Sequence, residues 1–385
     1  MKISQAAICS VLLAAFVAGC GGDAGSAADV DDGAEDFAQA QAALANGETK
    51  IAARGFAEAA RKCETNFEAR LQLALANIKL GEVDGAVSAA AAARALRPDS
   101  AEALLVSGQA AYLKRNYDAA VADFNAVAKA AHLPAALRSA ALAARAVVEI
   151  GRQEVDAARI TLFTAKRLDP RNAAAWYHLG CLSRDVYRFT EAALEQFEVA
   201  VRLMDARDER AERLSRTIIP ALREQRQQEA AARPGAQSRN PGEAARLIAE
   251  GQKLQGRRRM RDAIAKYAAA LKADPLSDVA ALAYAELQKA NLPKDRAAAA
   301  PLVEKVLAAY RVVIDENPSV QKHYLAAARL AYDHQLWMQA AAIMDRAISH
   351  DAENKQTLDL LVASLLKAGK TKQAGMWRDY RQNLK

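Results

Sequence analysis

A small residue recurs at a nearly constant interval through the first half of the chain. Alanines used to align the sequence stand 34, 34, 38 and 35 residues apart, at Ala52, Ala86, Ala120, Ala158 and Ala193. An interval near 34 residues is typical of a repeated helix-turn-helix unit, and such units form a continuous core only when several of them stack. The interval therefore predicts an all-α chain built from stacked helix pairs.

The composition agrees with a thin, elongated array. Of the 385 residues 52% are hydrophobic but only 5% are aromatic, and much of the apolar content is alanine. A large single core needs bulky side chains, whereas an alanine-rich array buries its surface between neighbouring repeats. Several repeats are therefore expected in place of two globular domains.

The clearest copy of the unit runs from Trp176 to Ala200. It contains Trp176-Tyr177-His178-Leu179-Gly180, followed by Ala193, Phe197 and Ala200. This pattern resembles a tetratricopeptide repeat (TPR). The resemblance implies two antiparallel helices, with Gly180 allowing close approach, Ala193 at the helix crossing and Phe197 filling the gap one turn later.

Weaker copies extend the resemblance over most of the chain, and the fifth has an extra residue in the turn near Arg188. We predict a TPR-type helical solenoid of about eight to nine repeats in two arrays, 36–207 and 244–385. In a stretched seventh copy we expect a loop around Asn291 to Ala299. The copies are 33–66, 67–100, 101–134, 139–172 and 173–207, then one from near 244, 278–318, 321–354 and 355–385.

Two segments separate the arrays. Residues 208–232 are expected to form a capping or connecting helix with Leu214, Ile218 and Leu222 on one face and a bend at Pro220. Residues 233–243 hold a cluster of helix-breaking residues and are predicted to be a linker.

The N-terminus has the pattern of a bacterial lipoprotein. Residues 1–19 combine Lys2 with a short apolar run, too short for a membrane span, and end in Val17-Ala18-Gly19 before Cys20. This resembles a lipobox, which implies lipidation of Cys20. Residues 21–35 are rich in Gly, Ala and Asp and poor in bulky side chains, which predicts that 20–35 is a lipidated cysteine with a flexible tether. Because Gly21 follows the cysteine, resemblance to Gram-negative lipoproteins implies the outer membrane, facing the periplasm. The alternative is an ordinary cleaved signal peptide with an accidental cysteine.

The family resemblance also implies a binding groove on the first helix of each repeat. An alternative is that the leucines of this set pack against neighbouring repeats. The partner-binding groove is assigned to Leu71, Leu75, Ile78, Leu105, Gln109, Tyr112, Tyr177, Cys181, Arg184 and Asp185, and a second, more polar groove to Arg329 and Tyr332.

Four arginines crowd one turn of the second array: Arg257, Arg258, Arg259 and Arg261. Guanidinium groups bind phosphate and other anions well, so this turn is a candidate contact for lipid headgroups or an anionic envelope polymer. A solvated turn without a ligand is the alternative.

Charge and motif content disfavour other classes of protein. The net charge of +7 is spread among interleaved acids and bases, which does not favour nucleic-acid binding. The chain lacks a His-Glu-x-x-His motif, a glycine-rich phosphate loop and a nucleophile elbow. We therefore expect no catalytic residues, no metal and no cofactor.

The pattern as a whole favours a membrane-anchored scaffold that binds other envelope proteins or peptides in envelope assembly or secretion. Two alternatives remain open. One is a regulatory adaptor that activates a periplasmic protease or cell-wall hydrolase, and the other is a protein that binds anionic envelope polymer or lipid.

Overall fold

The computed structural model describes residues 33–205, 208–232 and 239–384. The predicted signal peptide, Cys20 and residues 21–32 of the predicted tether lie outside this part of the chain, as do residues 233–238 of the predicted linker. The described residues form helices joined by turns, without a strand among them. None of their helices combines the length and the hydropathy that crossing a membrane requires.

The chain divides into two compact units. Of the described residues, 33–182 and 199–205 belong to the first unit, and 183–198, 208–232 and 239–384 belong to the second. The division falls within the fifth repeat, whose second helix contributes residues to both units. The predicted array, linker and capping-helix boundaries stay predictions.

The helices of the first unit follow one another in pairs, and they confirm the all-α, TPR-type prediction. One difference concerns α7, which begins directly after Pro134, four residues before the predicted start of its repeat. The helices are α1 Ala34–Ala45, α2 Thr49–Lys62, α3 Phe67–Leu80, α4 Val83–Leu96, α5 Ala101–Leu113, α6 Tyr117–Lys129, α7 Ala135–Gly151, α8 Val155–Leu168 and α9 Ala173–Leu182.

Small residues hold the paired helices close together. The alanines that align the repeats of this unit, Ala52, Ala86, Ala120 and Ala158, are all fully buried. Gly108 shows how little room the crossing leaves, because a Cβ atom at this position would lie 2.7 Å from the ring of Phe124. A larger side chain at such a crossing would push the helices apart or force strained rotamers.

The turn inside the repeats uses a left-handed backbone conformation. Glycine supplies it at Gly47, Gly81 and Gly369, whereas other repeats place a residue with a side chain there: Arg115, Gln153, Arg188, Arg258 and Gln335. An L-residue pays a steric cost in this conformation that glycine does not. The left-handed backbone conformation therefore recurs at the same position, the turn between the two helices of a repeat.

The second unit continues the repeat pattern. Its described helices comprise Thr190–Glu198 of α10 (Thr190–Leu203), α11 Glu209–Arg213, α12 Ile219–Ala231, α13 Pro241–Gly256, α14 Met260–Ala273, α15 Asp278–Ala290, α16 Arg296–Glu316, α17 Gln321–Asp333, α18 Trp337–His350, α19 Lys355–Lys367 and α20 Thr371–Gln382. The loop predicted around Asn291 to Ala299 is shorter than expected. Helix α16 already begins at Arg296, because the Asp295 side chain caps it by accepting a hydrogen bond of 2.7 Å from the backbone N–H of Ala298.

A π-helical turn, Leu214–Ile218, joins α11 to α12 and changes the predicted helix face. The buried residues there are Ala211, Leu214, Ile219 and Leu222, so Ile219 takes the core position predicted for Ile218. A π-turn holds one residue more than an α-turn, which shifts the register beyond it. It also suits Pro220, which has no N–H to donate within the helix.

The extra residue of the fifth repeat is likewise accommodated within a helix. Ser183–Tyr187 form a π-helical turn that continues α9, whereas the sequence predicted an enlarged turn near Arg188. The backbone N–H of Phe189 donates to the carbonyl of Ser183 over 2.8 Å, and Arg188 takes the left-handed conformation found in the other repeats. The helix therefore widens and the inter-helix turn keeps its usual geometry.

The last repeat offers a direct test of the left-handed turn. Gly369 has φ +77° and Gly375 lies inside α20, and a Cβ at either position meets nothing within 4 Å. We expect Gly369→Ala to lower the free energy of unfolding by about 1 kcal/mol through backbone strain, and Gly375→Ala to raise it by roughly 0.5–1 kcal/mol. Urea unfolding followed by circular dichroism measures both, and equal signs for the two variants would contradict the assignment.

Candidate binding cavity of the second unit

Most of the groove residues predicted on α3 and α5 belong to the packed interior. Leu71 and Ile78 join a core cluster with Ala103 and Val106 of α5, and Leu105 joins a cluster that includes residues of α7. Helix α3 packs against α5 and α5 packs against α7, and these contacts cover the three leucine and isoleucine positions. The groove assignment is corrected for these three residues, which stabilise the array and are not available to a partner.

Three further predicted residues of this region differ in exposure. Gln109 is buried, so it too is withdrawn from the groove, while Leu75 is half-buried at the edge of its core cluster. Tyr112 is half-buried and lies 5.7 Å, between ring centroids, from Tyr117. Burial raises the pKa of the Tyr112 hydroxyl. On α3 and α5, only the edge of the predicted groove, at Leu75 and Tyr112, is accessible.

The remaining groove candidates are half-buried or exposed. Tyr177 and Cys181 are half-buried on α9, and Cys181 is not in a disulfide. In the second unit, Arg184 forms an ion pair with Asp185, with Nε 2.6 Å from Oδ1, within the π-helical turn. On α17, Arg329 is exposed and Tyr332 is half-buried, and neither lines the cavity described below.

The arginine turn lies between α13 and α14. Arg257, Arg258, Arg259 and Arg261 are all exposed, with Arg258 in the left-handed conformation. Arg259 pairs with Asp262 at 2.6 Å. The arrangement leaves guanidinium groups facing solvent, and their role as an anion contact stays a prediction.

A cavity of about 1010 Å³ lies within the second unit. Its walls come from α16, α17 and α18, from Pro275 and Leu276 before α15, from Glu229 of α12 and from residues 188–191. Apolar side chains form much of the lining: Phe189, Leu276, Leu307, Val312, Ile314 and Ile343. Such a mixture of an apolar lining with a few polar groups is typical of binding sites.

Arg346 on α18 links two walls of the cavity. Its Nη1 atom lies 2.6 Å from Asp315 Oδ1 on α16, and its Nη2 atom lies 3.7 Å from Glu191 Oε2. Burial opposes the charged form of Arg346, but the neighbouring Tyr324, Asp315 and Glu191 outweigh it and raise the pKa of the guanidinium. Arg346 therefore stays charged and fixes the position of residue 191 beside α18.

Tyr324 borders the cavity from α17 and is fully buried. Its hydroxyl has no hydrogen-bond partner among the described residues. Burial raises the pKa of this hydroxyl to about 12, with Glu191 and Asp315 adding to the rise and Arg346 opposing it. The hydroxyl is thus a protonated, unused donor at the cavity wall.

Two exposed charges on α16 remain available at the cavity. Glu304 and Arg311 both line it, and neither has an ion-pair partner in the described part of the chain. Seven residues of α-helix separate them, which corresponds to about 10 Å along the axis. The cavity therefore presents one negative and one positive group, two turns apart, beside an apolar surface.

The family pattern pointed to the first helices of the repeats, but this cavity is lined mainly by the second helices α16 and α18. Sequence analysis missed Glu304, Arg311 and Arg346 for this reason, and it also missed Tyr324, which lies on the first helix α17. One signal was available, since α16 has 21 residues where most helices of the array have 12 to 14. Its charged residues at 304, 311 and 315 recur at helical spacing on one face.

The described residues contain no group of three or more His, Cys, Asp or Glu side chains that could hold a metal ion. The cavity itself is lined mainly by apolar groups, arginines and carboxylates. Among the lining residues, the Thr190 hydroxyl donates to Glu229 Oε1 over 3.3 Å.

No protein-family model matches the chain, and no curated protein matches it either. Parts of the chain are similar to solved structures. MamA from Desulfovibrio magneticus RS-1, from residue 41 to its end, is 24% identical over 47% of this chain and 99% of that one, with a TM-score of 0.38. The TPR2AB-domain:pHSP90 complex of yeast Sti1 is 16% identical over 71% and 98%, with a TM-score of 0.28.

A tetratricopeptide repeat protein from Parabacteroides merdae is 11% identical over 86% of this chain and 98% of that one, with a TM-score of 0.33. The TPR-type fold stated above rests on the helix pairs and buried crossing residues of the chain itself.

The unused hydroxyl of Tyr324 predicts an unusual substitution effect. We expect Tyr324→Phe to raise the free energy of unfolding by about 1 kcal/mol, because it removes a buried donor that forms no hydrogen bond. Tyr267→Phe is the matched control, since Tyr267 is equally buried but donates to Gln255 Oε1 over 3.1 Å. The control should lose about 1 kcal/mol. A loss of stability in Tyr324→Phe, measured by urea unfolding, would refute the assignment.

Proposed function

We propose that this protein is a membrane-anchored TPR scaffold of the bacterial envelope, and that its second unit binds an amphipathic helix of another envelope protein. The observation that carries the proposal is the cavity bounded by α16, α17 and α18. The proposed role in envelope assembly or secretion follows from the combination of this cavity with the lipobox around Cys20.

An amphipathic helix suits the cavity because an apolar lining lies beside charged groups arranged along a helix. Helix-in-groove recognition uses apolar anchors that recur at helical spacing. Leu307, Val312 and Ile343 provide the apolar surface for such anchors.

The charges favour one kind of helix over others. A helix lying along α16 with a basic and an acidic residue seven positions apart would meet Glu304 and Arg311 at the same time. Such complementarity contributes more to specificity and orientation than to affinity. The proposed partner is therefore an amphipathic helix with charges of both signs at its edge.

The anchor is the second part of the proposal. Cys20 follows Val17-Ala18-Gly19, and a diacylglyceryl group together with an N-acyl chain gives lasting attachment, since each buried methylene contributes about 0.8 kcal/mol. Attached in this way at the outer membrane, the repeats would face the periplasm and its proteins.

The cavity is tested by cross-linking in intact cells. A photoreactive amino acid replaces Ala308, which is exposed at the cavity, and the captured peptide is identified by mass spectrometry. We expect a specific envelope protein joined through a helical segment with charges of both signs. Position 300 is the control, because Ala300 is exposed on the same helix but does not line the cavity.

With the captured helix in hand, Ala308→Glu should weaken its binding at least tenfold, since a carboxylate would be placed against the apolar lining. Ala300→Glu should leave affinity unchanged. Identical capture from positions 300 and 308, or capture through a segment that is not helical, would reject the cavity as the binding site.

The anchor is tested separately through Cys20→Ser. The natural protein should carry a lipid on residue 20 by mass spectrometry and sediment with outer membranes, whereas the variant should be released with the soluble periplasmic fraction. Equal sedimentation of the two forms would reject lipid anchoring through Cys20 and leave the cavity proposal in place.

A further inference from the structure

The last two repeats place the turns between their paired helices at one edge of the second unit. Gln321, which begins α17, donates from Nε2 to the carbonyl of Ala347 near the end of α18 over 3.0 Å, and its Oε1 accepts from the Thr357 hydroxyl at the start of α19 over 3.3 Å. These contacts bring the starts of the first helices and the end of α18 to one level. Because successive helices alternate in direction, the turns 334–336 and 368–370 lie at the opposite edge.

Met338 and Leu366 stand at the same height along the helix axes. Nine residues of α18 lead from Ala347 to Met338, and nine residues of α19 lead from Thr357 to Leu366. Each step corresponds to about 14 Å of helix. Since α18 packs against α19, the two side chains reach the same edge on neighbouring helices.

Apolar side chains are exposed at this edge. Met338 is 55% exposed and Leu366 is 41% exposed, and Leu336 and Trp337 beside them are half-buried. Apolar groups gain free energy when they leave water, and several of them together mark a surface that another molecule covers. Tryptophan in such a place is typical of side chains at the boundary between a membrane and water.

Three lysines surround the apolar side chains. Lys367, Lys370 and Lys372 are exposed, and none of them has an ion-pair partner in the described part of the chain. Residues 333–338 and 366–372 contain one acidic side chain, that of Asp333. The edge therefore combines an excess of positive charge with exposed apolar groups.

The opposite edge of the same repeats lacks this combination. Its one large apolar side chain in the loops, Val320, is half-buried. The two loops there, 316–322 and 351–355, hold more acidic than basic side chains: Glu316, Asp351 and Glu353 against Lys322 and Lys355. The positive charge and the exposed apolar groups thus belong to one edge and are not a general property of these helices.

We infer that this edge binds the surface of a membrane that contains anionic lipid. The binding edge consists of Leu336, Trp337, Met338, Leu366, Lys367, Lys370 and Lys372. The inference goes beyond the proposed function, because it requires neither the cavity nor a lipid on Cys20.

The two kinds of side chain together favour a lipid surface over a soluble polyanion. A hydrated polyanion would neutralise the lysines but leave Met338 and Leu366 in water. An anionic lipid surface attracts each nearby lysine by about 1 kcal/mol and also receives apolar side chains below its headgroups. Contact with lipid therefore accounts for both features of the binding edge.

The test is quenching of tryptophan fluorescence by brominated lipid, which acts on side chains that enter the bilayer. Purified full-length Cys20→Ser protein is added to vesicles of brominated phosphatidylcholine and phosphatidylglycerol in equal parts. Residues 1–32 contain no tryptophan, so a contact made by the N-terminus does not contribute to the signal. We expect quenching that needs at least tenfold more lipid when phosphatidylglycerol is left out.

The tryptophan that meets the lipid is identified by substitution. Trp337→Phe should abolish the quenching, whereas Trp176→Phe should retain it, since Trp176 belongs to the first unit. Trp377 is fully buried and should not contribute. Quenching that persists in Trp337→Phe, or its absence with phosphatidylglycerol present, would overturn the inference.

The lysines are tested by charge reversal. Lys367→Glu/Lys370→Glu/Lys372→Glu should raise the lipid concentration for half-maximal quenching at least tenfold. The matched control is Lys50→Glu/Lys79→Glu/Lys129→Glu, which changes the net charge equally at exposed lysines of the first unit. Equal effects of the two triple variants would show a response to net charge alone and would reject the binding edge.

The apolar side chains are tested by Met338→Gln/Leu366→Gln, which should also weaken quenching at least tenfold. Val279→Gln is the control, because Val279 is 53% exposed at the start of α15 and should leave quenching unchanged. A loss in the lysine variant without a loss in Met338→Gln/Leu366→Gln would mean that the edge binds anions without entering lipid, and the membrane inference would fall. These readouts leave the cavity untouched, so they succeed or fail independently of cross-linking at Ala308.

Discussion

The close approach of paired helices through small residues is the constraint on which the structure depends. Ala52, Ala86, Ala120 and Ala158 of the first unit, and Ala263, Ala340 and Ala374 of the second, are all fully buried where their helices pack. Alanine buries little apolar area, so one helix pair cannot gain enough free energy to fold alone. Several repeats must therefore stack, and the spacing of these alanines sets the length of each repeat.

This constraint explains how much of the fold could be predicted. The alanine spacing located the helix pairs because the crossing of two paired helices admits only a small residue. The register of Ile218 was wrong, since a constant helical period does not anticipate a π-turn and Ile219 is buried in its place. Leu71 and Leu105 were predicted to line a groove but are buried. An apolar residue on a first helix can either line a groove or pack against the next repeat, and in this protein neighbouring helices cover both leucines.

The cavity was beyond prediction for a different reason. Arg346 lies 31 residues from Asp315 but 155 from Glu191, and no local period connects the latter pair. Sequence patterns report which face of a helix is apolar, whereas the meeting of residues 188–191 with α18 depends on the path of the chain through many repeats. The charged residues that define the site were visible in the sequence, but their proximity was not.

The contact between residues 190–198 and α18 also has a kinetic consequence. In an open solenoid every contact is between neighbouring repeats, so folding can begin in any repeat and spread along the chain. The first unit has this character, because its helices pack against near neighbours in sequence. In the second unit, the hydrogen bond from Gln196 to Ser349 joins residues 153 positions apart. Closing so long a loop costs conformational entropy before the contact is formed. The docking of this segment should therefore be a late event in folding, after the helices of the second array have assembled.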